Sequence, residues 1–440
     1  MKTFEQLGVR IPKILLPKNL DTATWAVIAC DQYTQDQSYW QRTEQAAGRK
    51  PSALHLILPE IYLNAADCDA RVESIRNAMR QYIREGIFDS ELTAFIYIER
   101  KTAFGRMRRG LMAEIDLERY DWAPQTKEAV RATEATIKER IPPRMKIRNG
   151  APLETPHIML LANDQEKLLT EGLGKRLASS APRYSGNLMM NGGSIRGWAV
   201  ENPDDVEYIR ASLEKLAAQN TQPDGSVFLF AVGDGNHSLA TAKAVWEERK
   251  TALKAAGADE AALQSDPVRY ALVEIANLYD EGVTFEPIHR VIFHADAEKL
   301  IGLLAAELGG TAKSIGDADA LEAAVKESTA SFGFIHTKDG KTVYTLLSTQ
   351  LTELAVARLQ PALDRFLEAH ADASVDYIHG GAETIALGKK ADAVGILLPP
   401  IAKNNLFTTI NVRGPLPRKS FSIGEADEKR FYMECRSLFE

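Results

Sequence analysis

Residues 227–246 constrain this chain more than any other stretch. An apolar run, Val227 to Val232, gives way to Gly233-Asp234-Gly235-Asn236-His237, and then Leu239, Ala242, Val245 and Trp246 recur at helical spacing. A short apolar run bounded by a turn is the pattern of a buried strand. The turn therefore joins a core strand to a helix N-terminus. At that point the first backbone N–H groups lack intrahelical partners and the helix dipole is positive, an arrangement that suits phosphate and other anions.

The turn carries chemistry of its own. Gly233 and Gly235 permit unusual dihedrals and close approach of a ligand. Asp234 is a candidate base toward a hydroxyl or a candidate ligand for Mg, and His237 a candidate phosphate contact or proton carrier. The plainer alternative is an N-cap, in which Asp234 or Asn236 accepts the free N–H groups and His237 packs.

The 440 residues are enough for two domains, with an expected boundary at 250/251: residues 1–250 carry the turn, and residues 251–440 form a second, α+β domain. Strand and helix patterns alternate before that boundary, which favours an α/β layer architecture. Residues 67–86 and 203–218 read as helices, and Phe95 to Glu99 and Arg106 to Ile115 as paired strands. Residues 31–40 read as a polar, aromatic-rich turn. Residues 297–370 read helix, helix, hairpin, helix, and 425–438 a closing helix.

Thr126 to Arg140 reads as a charged helix ended by Pro142-Pro143, with Arg131, Glu134 and Lys138 on one face. A solvated, salt-bridged helix is the bland alternative. Arg140 and Arg144 flank the stiff Pro-Pro and suit a phosphate. Ser185 to Arg196 is glycine-rich and either wraps an anion or simply connects. His289-Arg290 is a further basic pair or a surface edge, and His157, before an apolar run, reads as structural.

A net charge of −7 weighs against DNA and anionic membranes as partners. Cys30, Cys68 and Cys435 form no CxxC, so neither a disulfide framework nor a zinc site is expected. HExxH and GxSxG are absent, as are a Walker sequence and a Rossmann fingerprint. The start lacks a signal-peptide core and no apolar run is long enough to span a membrane, so a cytoplasmic protein is expected.

Asp234-Gly235-Asn236-His237, between strand and helix, resembles the signature of the ParB/sulfiredoxin-like superfamily, which includes nucleotide-binding partition proteins, sulfiredoxins and free-serine kinases. Ala29 to Thr34, Leu54-His55-Leu56, Arg131-Ala132-Thr133-Glu134, the turn, Pro287-Ile288-His289-Arg290 and Lys419 to Ser422 together resemble a bacterial and archaeal family known as domain of unknown function 1015. The resemblance implies a ParB/sulfiredoxin-like mixed-sheet core with a phosphate site at the strand–turn–helix. It also implies a phosphotransferase acting on a small alcohol, free serine or O-phosphoserine, with Mg and a nucleotide or pyrophosphate as co-substrate. Asp234 then works on the hydroxyl, Glu134 assists, and Gly233, Gly235, Asn236, His237 and Ser238 hold phosphate with Arg131, Arg140, Arg144 or Arg290. Ser238 stands where the motif carries an arginine. A non-catalytic nucleotide- or anion-binding module is the second reading, and a ParB-like DNA-binding protein the last. The partner in the first reading is a small phosphorylated molecule; the oligomeric state stays open.

Overall fold

The computed structural model describes residues 1–29, 33 and 36–439. The chain folds into two compact units, one made of residues 1–283 and 424–440, the other of residues 284–423. The division does not fall at 250/251, because that position lies inside one long helix, Asn236–Ala255. The expected second domain is thus an insertion, after which the chain returns to complete the first.

The first unit is built on a mixed sheet. Among the described residues its strands run in the order Tyr184–Asn187, Ser194–Val200, Phe95–Lys101, Met107–Asp116, Tyr270–Asn277, Met159–Ala162, Phe230–Asp234, Val130–Ala132 and Tyr120–Asp121, with Val9–Arg10 beside Met107–Asp116. Phe230–Asp234 lies parallel to Val130–Ala132 and antiparallel to Met159–Ala162. The expected antiparallel pairing of the strands near 95–101 and 107–116 is present. Phe230 and Val232 point to the same face and pack with Leu239, Ala242, Val245 and Trp246 in one apolar core. The apolar periodicity that predicts the strand and helix is the core itself. The opposite face is covered by a second core around Trp25, Trp40, Met79 and Phe431.

The second unit is an antiparallel sheet, ordered Thr311–Ile315, Lys341–Ser348, Ser331–Lys338, Ala393–Leu397, Phe285–Phe293 and Ser374–His379, with Phe421–Ile423 on the start of Phe285–Phe293. Its helices Ala297–Leu308, Ala318–Lys326 and Ala355–Ala369 and its hairpin around Asp339-Gly340 match the expected order.

Three expected elements differ. Residues 126–140 are not a helix: Val130–Ala132 is a buried strand and Lys138–Arg140 a single 3-10 turn. Pro142 and Pro143 open the helix Ile141–Arg148 instead of ending one, as proline does where the first N–H groups have no intrahelical acceptor. Gln37–Ala47 is a helix capped by Asp36, where a turn is expected; Cys30, Asp31, Gln32, Thr34 and Gln35 lie outside the described residues. Residues 425–438 hold only a single 3-10 turn, Ala426–Glu428, before an extended stretch with short strands Phe431–Tyr432 and Arg436–Ser437.

Buried ion pairs fix that last segment. Arg430 pairs with Glu274 at 3.0 Å and Glu434 at 2.6 Å. Arg436 pairs with Glu154 and, at 3.5 Å, with Glu114. All six side chains are nearly enclosed. In an extended backbone successive side chains point to opposite sides: Arg430, Glu434 and Arg436 take one side in ion pairs, and Phe431, Met433 and Cys435 between them pack in the apolar core.

Candidate functional site

The turn sits where the sequence places it, at the end of Phe230–Asp234 and the start of the 20-residue helix Asn236–Ala255. The register against Met159–Ala162 shifts here: Leu160 faces Val232 while Met159 faces Asp234. Such a bulge re-aims a side chain at the strand end. Gly235 then takes φ +81°. An added Cβ there would press on Ile158 Cγ1 at 3.1 Å, in a backbone region L side chains rarely adopt.

Neither expected cap forms. No side chain caps the helix. Asp234 Oδ1 accepts the Gly235 N–H at 2.7 Å. The Asn236 amide turns to the preceding loop, where its Oδ1 accepts the Thr133 N–H and its Nδ2 donates to Thr133 Oγ1, both at 3.1 Å. The helix end remains uncapped, with its first-turn N–H groups beside Asp234 and Ser238.

Lys429, from the returning C-terminal segment, pairs with Asp234 at 3.1 Å, and 31 % of the Asp234 side chain is exposed. Burial pushes this carboxyl upward, but the Lys429 ammonium, His157 and the Gly235 N–H outweigh it and hold it below the usual carboxylate range. Asp234 is therefore ionised, with Oδ1 accepting from Gly235, Oδ2 from Lys429, and part of the carboxylate still exposed.

His157 lies against the turn. Its Nε2 is 3.2 Å from Ser238 Oγ and its Nδ1 is 3.0 Å from the Tyr432 hydroxyl. The two rings meet edge to face. Placed before a strand, His157 is expected to be structural, yet it joins the helix start to the C-terminal segment.

His237 Nε2 accepts the Ile137 N–H at 3.2 Å. Burial, followed by the positive charges of Arg140 and Arg144, lowers its pKa to about 4. It is neutral near pH 7 and orients the 133–140 loop. Arg140 and Arg144 thus lie within electrostatic reach of the turn, as expected. Arg144 is fixed by Glu60 and by the Arg140 carbonyl. Glu134 follows Thr133 in the same loop and is half-buried.

Two expected phosphate ligands are committed to their own surroundings. Arg131 is buried in Val130–Ala132, bonded to the Glu128 carbonyl at 2.8 Å, with its guanidinium 4.4 Å from the Phe228 ring centroid. Arg290 belongs to the other unit, where it is fully buried against Gln360 and the Tyr377 ring. The glycines of residues 185–196 serve packing: an added Cβ at Gly186 would meet Thr22, at Gly192 the Phe431 ring, and at Gly193 the Lys101 carbonyl.

Among the described residues no three His, Cys, Asp or Glu side chains gather as metal ligands. Asp234 offers one carboxylate. Mg²⁺ commonly takes one or two carboxylates and draws its other ligands from water and substrate phosphates, so Asp234 is the group of the turn that would hold it. Among the described residues no helix is long and apolar enough to cross a membrane.

The sequence matches the family described as a protein of unknown function, DUF1015, over residues 13–366. The chain belongs to the DUF1015 family. Lys429 and Tyr432 lie beyond the matched span. No curated protein matches the sequence. Among solved structures, a conserved hypothetical protein from Pyrococcus furiosus is 12% identical, with a TM-score of 0.36 and coverage of 74% of this chain and 95% of that one. A free serine kinase in complex with AMP is 12% identical, with a TM-score of 0.35 and coverage of 74% and 92%. A C-terminally truncated SbnI from Staphylococcus aureus is 9% identical, with a TM-score of 0.36 and coverage of 71% and 82%. Likenesses this distant fix neither substrate nor reaction for the DUF1015 chain.

Proposed function

We propose that this chain is a phosphotransferase acting on a small alcohol, with free serine or O-phosphoserine the specific candidate and a nucleotide or pyrophosphate as donor. One observation carries the reading: an ionised, partly open Asp234 stands at a bulged strand end beside the uncapped start of a 20-residue helix. Phosphoryl transfer asks a protein mainly for positioning and for charge at the transferred group. Asp234 orients the acceptor hydroxyl and takes its proton. The first-turn N–H groups of Asn236, His237 and Ser238 face the phosphate, and Gly233 and Gly235 form the turn that leads into them, Gly235 in the left-handed region. Arg140, Arg144 and Lys429 supply positive charge nearby. Glu134 is the candidate second carboxylate. Mg, when bound through Asp234, neutralises phosphate charge.

Asp234→Asn keeps the side chain's shape and removes the charge. Transfer from ATP or pyrophosphate to serine is expected to fall on the order of 10²–10⁴-fold, with the thermal unfolding profile kept. An unchanged rate would remove Asp234 from the mechanism. Ser238, in place of the motif arginine, favours a second reading: a module that binds anions without turning them over. Calorimetry with the same phosphates separates the two, since tight binding without product supports the module.

A further inference from the structure

We infer that Ser238 is a covalent way-station for the phosphoryl group, with His157 as its base and Tyr432 as the residue that sets the base. This rests on the phosphotransferase reading and adds a second step to it. Ser238 Oγ and His157 Nε2 stand 3.2 Å apart, within the reach a general base needs. The other ring nitrogen, Nδ1, is 3.0 Å from the Tyr432 hydroxyl. When Nε2 accepts from the serine, Nδ1 carries the proton and donates it to the tyrosine oxygen. A nucleophile, a base within hydrogen-bond distance and a third group orienting that base form the pattern of an activated hydroxyl.

The three side chains come from distant parts of the chain. His157 precedes Met159–Ala162, Ser238 is the third residue of Asn236–Ala255, and Tyr432 sits on the returning segment, where it pairs with Val27. The His157 ring also packs on the turn: an added Cβ on Gly235 would lie 3.6 Å from its Cδ2. All three side chains are half-buried, so the hydroxyl is neither sealed in the core nor out in bulk water.

The chemistry balances in two steps. First, Ser238 Oγ attacks the terminal phosphorus of a donor containing a P–O–P linkage. The Oγ–P bond forms and the bridging P–O bond breaks. The leaving phosphate departs with the electron pair, and the serine proton moves to His157 Nε2. Second, the acceptor hydroxyl attacks the seryl phosphate and gives its proton to Asp234. The Oγ–P bond breaks, and His157 returns its proton to Ser238. His157 ends as it began, and Asp234 gives the acceptor's proton up to water or the departing phosphate, returning to its carboxylate.

The test uses the full chain with Mg and either ATP or inorganic pyrophosphate, first without acceptor. Intact-mass spectrometry is expected to show a phosphoryl adduct mapping to Ser238, discharged when serine is added. Ser238→Ala abolishes both adduct and transfer. His157→Gln slows adduct formation on the order of 10²–10⁴-fold. Tyr432→Phe, which removes only the hydroxyl, slows it less and shifts its pH profile, a change that simple packing loss would not cause. Transfer by Ser238→Ala at the wild-type rate overturns the covalent step and leaves the phosphotransferase reading intact. A wild-type chain that transfers phosphate yet shows neither an adduct nor acceptor-free exchange of labelled phosphate into the donor also overturns it. A wild-type chain that transfers nothing to any small alcohol removes the broader reading instead.

Discussion

Asp234 and His237 are neighbours in the turn and are tuned in opposite senses. Lys429 holds the carboxylate charged against burial, while burial and two arginines hold the imidazole neutral. A histidine whose folded pKa is about 4 instead of 6.5 couples folding to protons. Between those values the unfolded chain binds a proton at this position and the folded chain does not. His237 therefore contributes stability above pH 6.5 that is lost as pH falls toward 4. His237→Gln keeps an acceptor for the Ile137 N–H and removes the titration. The difference in melting temperature between wild type and this variant is expected to narrow or reverse as pH drops through that window. A difference independent of pH would show that His237 does not titrate as its surroundings dictate. The sequence reveals both residue types and their place in the turn, but not this tuning, because Lys429 and Arg144 reach them from far along the chain.

At the scale of elements, the strand–turn–helix is legible because its two periodicities, apolar run and helical stripe, both point at one core. The segment 126–140 misleads for the opposite reason. Arg131, Glu134 and Lys138 have helical spacing, yet Val130–Ala132 gains more as a buried parallel neighbour of Phe230–Asp234. Tertiary pairing overrides local spacing. Asn236 then ties this strand's exit to the helix start by two hydrogen bonds to Thr133. Asn236→Ala strands the Thr133 N–H in a fully buried residue, which costs about 1–3 kcal/mol. Urea unfolding is expected to show that loss, along with a weaker transfer rate as the loop bearing Glu134 and Arg140 loosens. The closing segment misleads too, since residues 425–438 carry enough charge to look like a surface helix. Arg430, Glu434 and Arg436 are in fact buried in ion pairs, and a pattern of polarity cannot reveal partners distant in sequence.

At the scale of the whole molecule, those pairs bind the last residues to the first unit. Arg430→Met would leave Glu434 enclosed without its cation and Glu274 with Arg108 in place of two arginines, and breaking a buried pair from one side typically costs about 3–5 kcal/mol. A large drop in the urea midpoint is expected. A small one would mean that water reaches the carboxylates. Two units are foreseeable from length, but their interleaving is not, because nothing in local pattern announces that a chain will come back. The register of Phe285 with Ile423 places the exit and the return side by side. The chain passes through residues 284–423 before Gly424 begins the segment that supplies Lys429, Arg430 and Tyr432. Domains fold as units while synthesis proceeds. On the ribosome, the inserted unit is thus complete and able to fold while the unit that begins at the N-terminus still lacks its closing ion pairs. Asp234 is made before the inserted unit and its partner Lys429 after it, so a chain cut short between the two lacks the ammonium that holds this carboxylate charged.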